Sequence, residues 1–200
     1  MATSEVVSDI VIPNAKVYSA PLGTSLPADT VAVGGAWPAG WVSAGFLKEP
    51  LTITYEFDVL EVMILQSLAP VARRKTKEGL SIKTTLAEFT ADFLNIALDG
   101  TVTQTAVGSG QPGKEEITFG DKATITERMW GFEGSYVDED GATFPIRMFV
   151  YKGNAKAGGD LVMGKEDYTG VPLEIGALSD MTKAVGARLF KIQKILEPGS

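Results

Sequence analysis

The clearest pattern in the chain runs from Leu51 to Val59. Ile53, Tyr55, Phe57 and Val59 fall on one face, and Thr52, Thr54, Glu56 and Asp58 on the other. A period of two predicts a strand with one buried face. Ile10 to Ala20 reads as an earlier strand, interrupted by Pro13 and Asn14. After Val62–Leu65 and a turn at Ser67–Pro70, strand character resumes at Leu80–Lys83. A period near 3.6 follows: Leu86, Phe89, Phe93 and Ala97 form a stripe that Leu94 and Ile96 widen, and Thr85 with Glu88 has capping-box spacing. These predict a helix at about 86–98, stopped by Gly100. Beyond it, Thr101–Val107, Ile117–Phe119, Ala123–Glu133, Thr143–Lys152, Leu173–Leu178 and Leu189–Leu196 read as strands. Gly108–Gly113 and Gly153–Asp160 read as loops, and Asp138-Glu139-Asp140-Gly141 as a hairpin turn. No repeat is present. The expected fold is mainly β: a β-sandwich or barrel of antiparallel strands with one flanking α-helix, in a single domain over 1–200.

Residues 21–45 break the pattern. Pro21, Pro27 and Pro38 alternate with Gly23, Gly34, Gly35, Gly40 and Gly45, and Trp37 and Trp41 lie among them. So long a stretch without periodicity is uncommon inside a compact domain. Its tryptophans and aliphatics argue against simple disorder. Two readings stand: a loop folded back on its own domain, or an arm packed on a neighbouring subunit, where aromatic anchors are enriched. On the second reading the contacts are made by Pro21, Leu22, Leu26, Pro27, Trp37 and Trp41. The arm would then be mobile in the monomer and ordered between subunits.

Composition narrows the chemistry. The chain has 200 residues, 44% hydrophobic and 22% charged, with no cysteine and no histidine. Disulfides, Cys/His zinc sites, cysteine nucleophiles and Ser-His triads are excluded together. Asp138, Glu139 and Asp140 are adjacent, unlike the spaced ligands of a calcium loop, so a solvated turn is expected. Gly108 and Gly110 lack the third glycine and the strand-to-helix setting of a dinucleotide site. No catalytic, cofactor or metal residue is assigned. The net charge of −7 argues against a nucleic-acid grip over the whole surface. Arg73, Arg74, Lys75 and Lys77 form the one basic cluster and read as a solvated strand end or as salt-bridge partners. The first nine residues lack the basic start of a secretory signal, and no apolar run reaches bilayer length, so no membrane role is expected.

Several segments, taken in order, carry a resemblance. They are "APLGTSLP" (Ala20–Pro27), "WVSAGFLKEPLTITYE" (Trp41–Glu56), "APVARRKT" (Ala69–Thr76) and "TLAEFTADFLNIAL" (Thr85–Leu98). Together these resemble the major tail tube protein of long-tailed bacteriophages. One departure is Glu49-Pro50, where such sequences often carry an acidic-Gly turn. The resemblance implies a structural, non-enzymatic subunit without cofactors, made in the host cytoplasm and built into the virion tail. Its copies would form rings stacked into a hollow tube for DNA ejection, with long loops touching the next ring. Partners implied are other copies, the tape measure, tail terminator and distal tail proteins, and passing DNA without specific binding.

Geometry agrees with a ring. A sleeve around a duplex needs a backbone diameter of roughly 45 Å. With strands about 4.8 Å apart and tilted about 45°, that takes about 20 strands. One chain cannot supply them; around four strands from each of about six subunits would. Glu56 and Asp58, on the polar face of the alternating strand, are the lumen-lining candidates, where carboxylates would repel phosphate. The rival reading is a β-barrel that binds a small ligand in its interior.

Overall fold

The computed structural model describes residues 11–88, 90–138, 140–160 and 170–196. Phe89 of the helical stripe, Glu139 of the acidic turn, Ile10 of the first strand and the first nine residues lie outside the described residues. Strands dominate, in the order β1 (Val11–Ala20), β2 (Val42–Ser43), β3 (Thr52–Val62), β4 (Ala72–Leu86), then α1 (Ala91–Leu98). After it come β5 (Thr101–Thr105), β6 (Lys114–Thr118), β7 (Glu127–Val137), β8 (Thr143–Ala157), β9 (Val171–Ala177) and β10 (Phe190–Lys194).

One antiparallel sheet runs β2-β1-β7-β8-β9-β4-β3, and β5-β6 forms a separate hairpin. The long strand β8 organises the sheet. Its first half pairs with β10 (Ile146↔Lys194 to Val150↔Phe190), and its second half pairs with β9 on that same edge (Gly153↔Ala177 to Ala157↔Leu173). β7 covers the opposite edge. The sheet then curls. Ala44 N donates to Val17 O on β1 at 2.7 Å, and Lys48 N donates to Thr85 O on β4 at 2.7 Å, so the five residues 44–48 join strands far apart in sheet order. Val17, Phe132, Val150, Ala155, Leu173, Ile175 and Ile82 line the concave face, and Phe93, Leu94, Ile96 and Ala97 of α1 join the same core. Alternation places most of them there, and Val150 and Ala155, five residues apart on β8, share the face through the register shift opposite Arg128 and Trp130.

The sheet stays open. The closed interior that the small-ligand reading requires is therefore not formed; Phe132 and Ile146 instead border an open groove of about 700 Å³.

The helix ends where expected but starts later, at Ala91. The capping box does not form, because tertiary pairing overrides the local signal. Thr85 and Leu86 are the last residues of β4, registered on Pro172 and Val171, and Leu86 is fully buried. Thr85 Oγ1 donates to Glu49 Oε2 at 2.5 Å, and Glu88 Oε1 accepts from Phe46 N at 3.3 Å. Thr90 takes the N-cap position with extended backbone, and its carbonyl accepts from Leu94 N at 3.0 Å. At the other end Asp99 adopts the left-handed conformation, φ 52°. Gly100 is required next, since a Cβ there would sit 2.8 Å from Thr118 O on β6.

Other boundaries shift modestly. The expected Ala123–Glu133 strand is Glu127–Val137, and β8 runs on through the expected loop to Ala157. Pro13 is accommodated within β1 by a register irregularity between Ile12 and Lys16.

Candidate functional site: the assembly surfaces

Residues 21–45 lie across the convex face of β1, β7 and β8. Tyr18, Gly131 and Phe149 are registered side by side on that face, and so are Lys16, Glu133 and Arg147. Gly131 leaves a slot that the indoles fill, because a Cβ there would overlap the Trp37 ring. Trp37 stacks on Tyr18 at 3.9 Å, and Trp41 meets Trp37 edge-on at 4.9 Å. Trp41 Nε1 donates to Ser25 O at 2.8 Å, closing the segment on itself.

A buried ion pair fastens it. Arg147 Nε donates to Glu133 Oε2 at 3.0 Å, with side chains 0% and 2% exposed. Arg147 also donates to Ala28 O at 3.0 Å and to Val31 O. Glu133 accepts from Gly34 N at 2.8 Å and from Trp37 Nε1 at 3.3 Å. Each charge is thus surrounded by hydrogen-bonding partners, the condition under which a buried pair is tolerable. Burial, and then the Glu133 charge, push the Tyr18 phenol pKa up. The fold-back reading describes the tryptophans in this chain. Pro27 is buried and Leu26 half-buried with them, while Pro21 and Leu22 stay exposed.

The second surface is the β3–β4 hairpin. Leu80 is the last buried residue of β4 on the way outward, and Ala72 to Glu78 are all exposed. At about 3.4 Å per residue, the eight residues from Leu80 to Ala72 carry the hairpin about 27 Å past the core. The apolar face of the alternating strand was expected to be buried. Instead Ile53, Tyr55, Phe57 and Val59 are 38–52% exposed: Ile53 only borders a groove with Leu47 and Leu51, and Tyr55 a cleft with Leu189 and Phe190. Lys75 lies on this face, 4.8 Å from the Phe57 ring centre, and donates to Tyr55 Oη at 2.6 Å and Glu78 Oε2 at 3.1 Å. Those hydrogen bonds, Tyr55's first, raise the Lys75 pKa. Arg73 pairs with Glu61 at 2.8 Å, so two members of the basic cluster are salt-bridge partners. At the tip Leu65 and Leu68 are fully exposed, flanked by exposed Met63, Ile64 and Val71.

The third surface is the polar face of β3, β4, β9 and β8. Register places Thr52, Lys83, Glu174 and Lys156 in one row, and Thr54, Ser81, Gly176, Asn154 and Glu127 in the next. Glu56 opposite Gly79 and Asp58 opposite Lys77 continue the face along the hairpin. Both lumen candidates are exposed on it. Lys83 and Lys156 flank Glu174 at 3.5 Å and 3.1 Å, one on each carboxylate oxygen, and Lys152 pairs with Glu127 at 2.9 Å. Chiefly through the Lys156 hydrogen bond, the Glu174 pKa lies below the usual range. Among the described residues no group of three Asp or Glu side chains is arranged to hold a metal ion, and no helix is long and apolar enough to cross a membrane.

The sequence profile of phage tail tube proteins matches residues 4–190, nearly the whole chain. The chain belongs to the phage tail tube protein family. As a tail tube protein it is a structural subunit of the virion tail, and its surfaces are there to meet further copies and other tail proteins. A comparison with curated proteins gives no match. Three features of this tail tube protein escaped the sequence reading: the Glu133–Arg147 clasp, the reach of the hairpin, and the lysines on the polar face, Lys77 opposite Asp58 and Lys83 and Lys156 beside Glu174. A Glu between Phe132 and Gly134 and an Arg between Ile146 and Met148 were the available signal for the first.

Proposed function

We propose that copies of this chain assemble into hexameric rings, and that the rings stack into the tube through which DNA is ejected. The polar face of β3, β4, β9 and β8 lines the lumen, with Glu56 and Asp58 on it. Four adjacent strands sharing one polar face are the share per subunit that a sleeve of about 20 strands asks of about six copies. The observation that carries the reading is the hairpin. Among the described residues it leaves an apolar row and an apolar tip exposed and the outer edge of β3 unpaired, and exposed edges of this kind are templates for pairing with another chain. Such contacts are heterologous, so they close into rings or extend into filaments.

Within the assembly, Trp37, Trp41 and Pro27 hold residues 21–45 on their own sheet, and Pro21, Leu22 and Leu26 meet the neighbouring subunit. Tape measure, tail terminator and distal tail proteins complete the tail. Synthesis takes place in the host cytoplasm, before incorporation into the virion. Negative-stain microscopy of the purified chain at rising concentration tests the reading. Rings or tubes are expected. A concentration-independent monomer that no tail extract recruits into tubes would sink it.

A further inference from the structure

Resting on that placement of the four-strand face, we propose that the wall is kept from gripping DNA by charge matching, with Glu174 as the residue that neutralises Lys83 and Lys156, rather than by an excess of acid. A chain of charge −7 suggests an acidic lumen, but the face itself does not follow the whole. Up to the irregularity at Asp58/Val59 the acids on these strands and on neighbouring β7 are Glu56, Asp58, Glu127 and Glu174, and the cations are Lys77, Lys83, Lys152 and Lys156; Glu49 adds one further carboxylate at the margin, bonded to Thr85. In the Lys83–Glu174–Lys156 row the signs alternate. Lys83 and Lys156 lie on either side of one carboxylate, and Asp58 stands opposite Lys77.

Alternation on this scale matters for a passing duplex. A phosphate nearing either lysine meets the Glu174 carboxylate within 3.5 Å of the ammonium. Fields of paired charges also decay faster with distance than those of single ones. Counterion release, the source of nonspecific grip, requires cations that phosphate can neutralise. Here the protein has already neutralised them. A wall of alternating sign neither binds the duplex nor pushes it off centre.

The experiment uses tubes of the full chain carrying Glu174→Gln, incubated with short duplex DNA, sedimented, and treated with nuclease before and after. Glu174 is half-buried, but its partners Lys83 and Lys156 are exposed and take up water when the charge is removed, so the isosteric amide should leave the fold intact, which a thermal melt of the variant checks. Asp58→Asn, which removes the charge opposite Lys77, is an independent second variant. The expected result is nuclease-protected DNA retained in variant tubes at 50 mM salt and released by 200 mM. For about six new phosphate contacts the affinity falls about 10³-fold over that interval. Wild-type tubes should retain none beyond the trapped volume. Adding Lys83→Gln and Lys156→Gln to Glu174→Gln should abolish retention.

Variant tubes that retain no more DNA than wild type would overturn the charge-matching inference while leaving the tube intact. Retained DNA that nuclease still digests would place the face outside, overturning the lumen assignment and this inference with it.

Discussion

Replacing Arg147 by alanine removes the centre of the clasp under residues 21–45. The guanidinium is fully buried, pairs with Glu133 and donates to Ala28 O and Val31 O. Its loss strands a buried carboxylate, which keeps only the Gly34 N–H and the Trp37 indole as donors. Breaking a buried pair from one side costs about 3–5 kcal/mol, because the remaining charge is uncompensated. For a chain of this length that lowers Tm by roughly 6–20 °C. Urea unfolding followed by tryptophan fluorescence reads it, since the Trp37 indole is stacked on Tyr18. Where the segment lifts before the sheet melts, the loss appears as an early fluorescence transition, as local opening allows. Glu133→Gln with Arg147→Met should recover much of the loss, because neither charge is then left alone, and the double-mutant cycle measures the coupling. A single Arg147→Ala variant within about 0.5 kcal/mol of the parent, with no early transition, would refute the reasoning.

Further outcomes follow from other sites. Leu65→Glu with Leu68→Glu at the hairpin tip should change folding stability by no more than about 0.5 kcal/mol, as exposed sites do, while preventing tube formation in sedimentation assays; tubes of normal yield would show the tip is not an interface. Gly131→Ala places a Cβ in the Trp37 ring, and overpacking of that kind costs about 1–3 kcal/mol, read as a lower urea midpoint and shifted tryptophan emission. Burial alone would raise the Asp99 pKa, but hydrogen bonds from Lys122 and Thr126 outweigh it and hold the carboxyl below its usual value. A depressed folded pKa contributes stability that is complete well above about pH 4 and lost as pH falls through the folded value. Asp99→Asn should therefore flatten the acid limb of the stability–pH curve, and parallel curves for variant and parent would contradict that origin.

The strands were legible because their signal is local. Ile53 to Val59 alternates through most of β3, and Asp138, Asp140 and Gly141 take up the turn expected of them: Asp138 Oδ1 accepts from Asp140 N and Ala142 N, and Gly141 sits at φ 83°. The helix start was misplaced because Thr85 and Glu88 satisfy the capping pattern equally well in a strand that β9 and the 44–49 crossing hold extended. Alternation locates the two faces of β3 but is silent on what covers them, so it could not reveal that the apolar face lies open. Nor does one strand's sequence say which charges its neighbours bring alongside. Lys83 meets Glu174 across ninety-one residues of chain, through sheet order alone. Trp37 and Trp41 were expected as anchors on a neighbouring subunit, and in this chain they pack on their own sheet over Gly131, a slot that is invisible without the register.

The central claim is that this chain surrounds DNA with the polar face of β3, β4, β9 and β8. A helical reconstruction of tubes grown from the purified chain tests it most directly. The account predicts a ring of six copies, Glu56, Asp58 and Glu174 on the lumen wall, and the β3–β4 hairpin buried against another copy. A tube with those residues on its outer surface, or with the hairpin free in solvent, would contradict it.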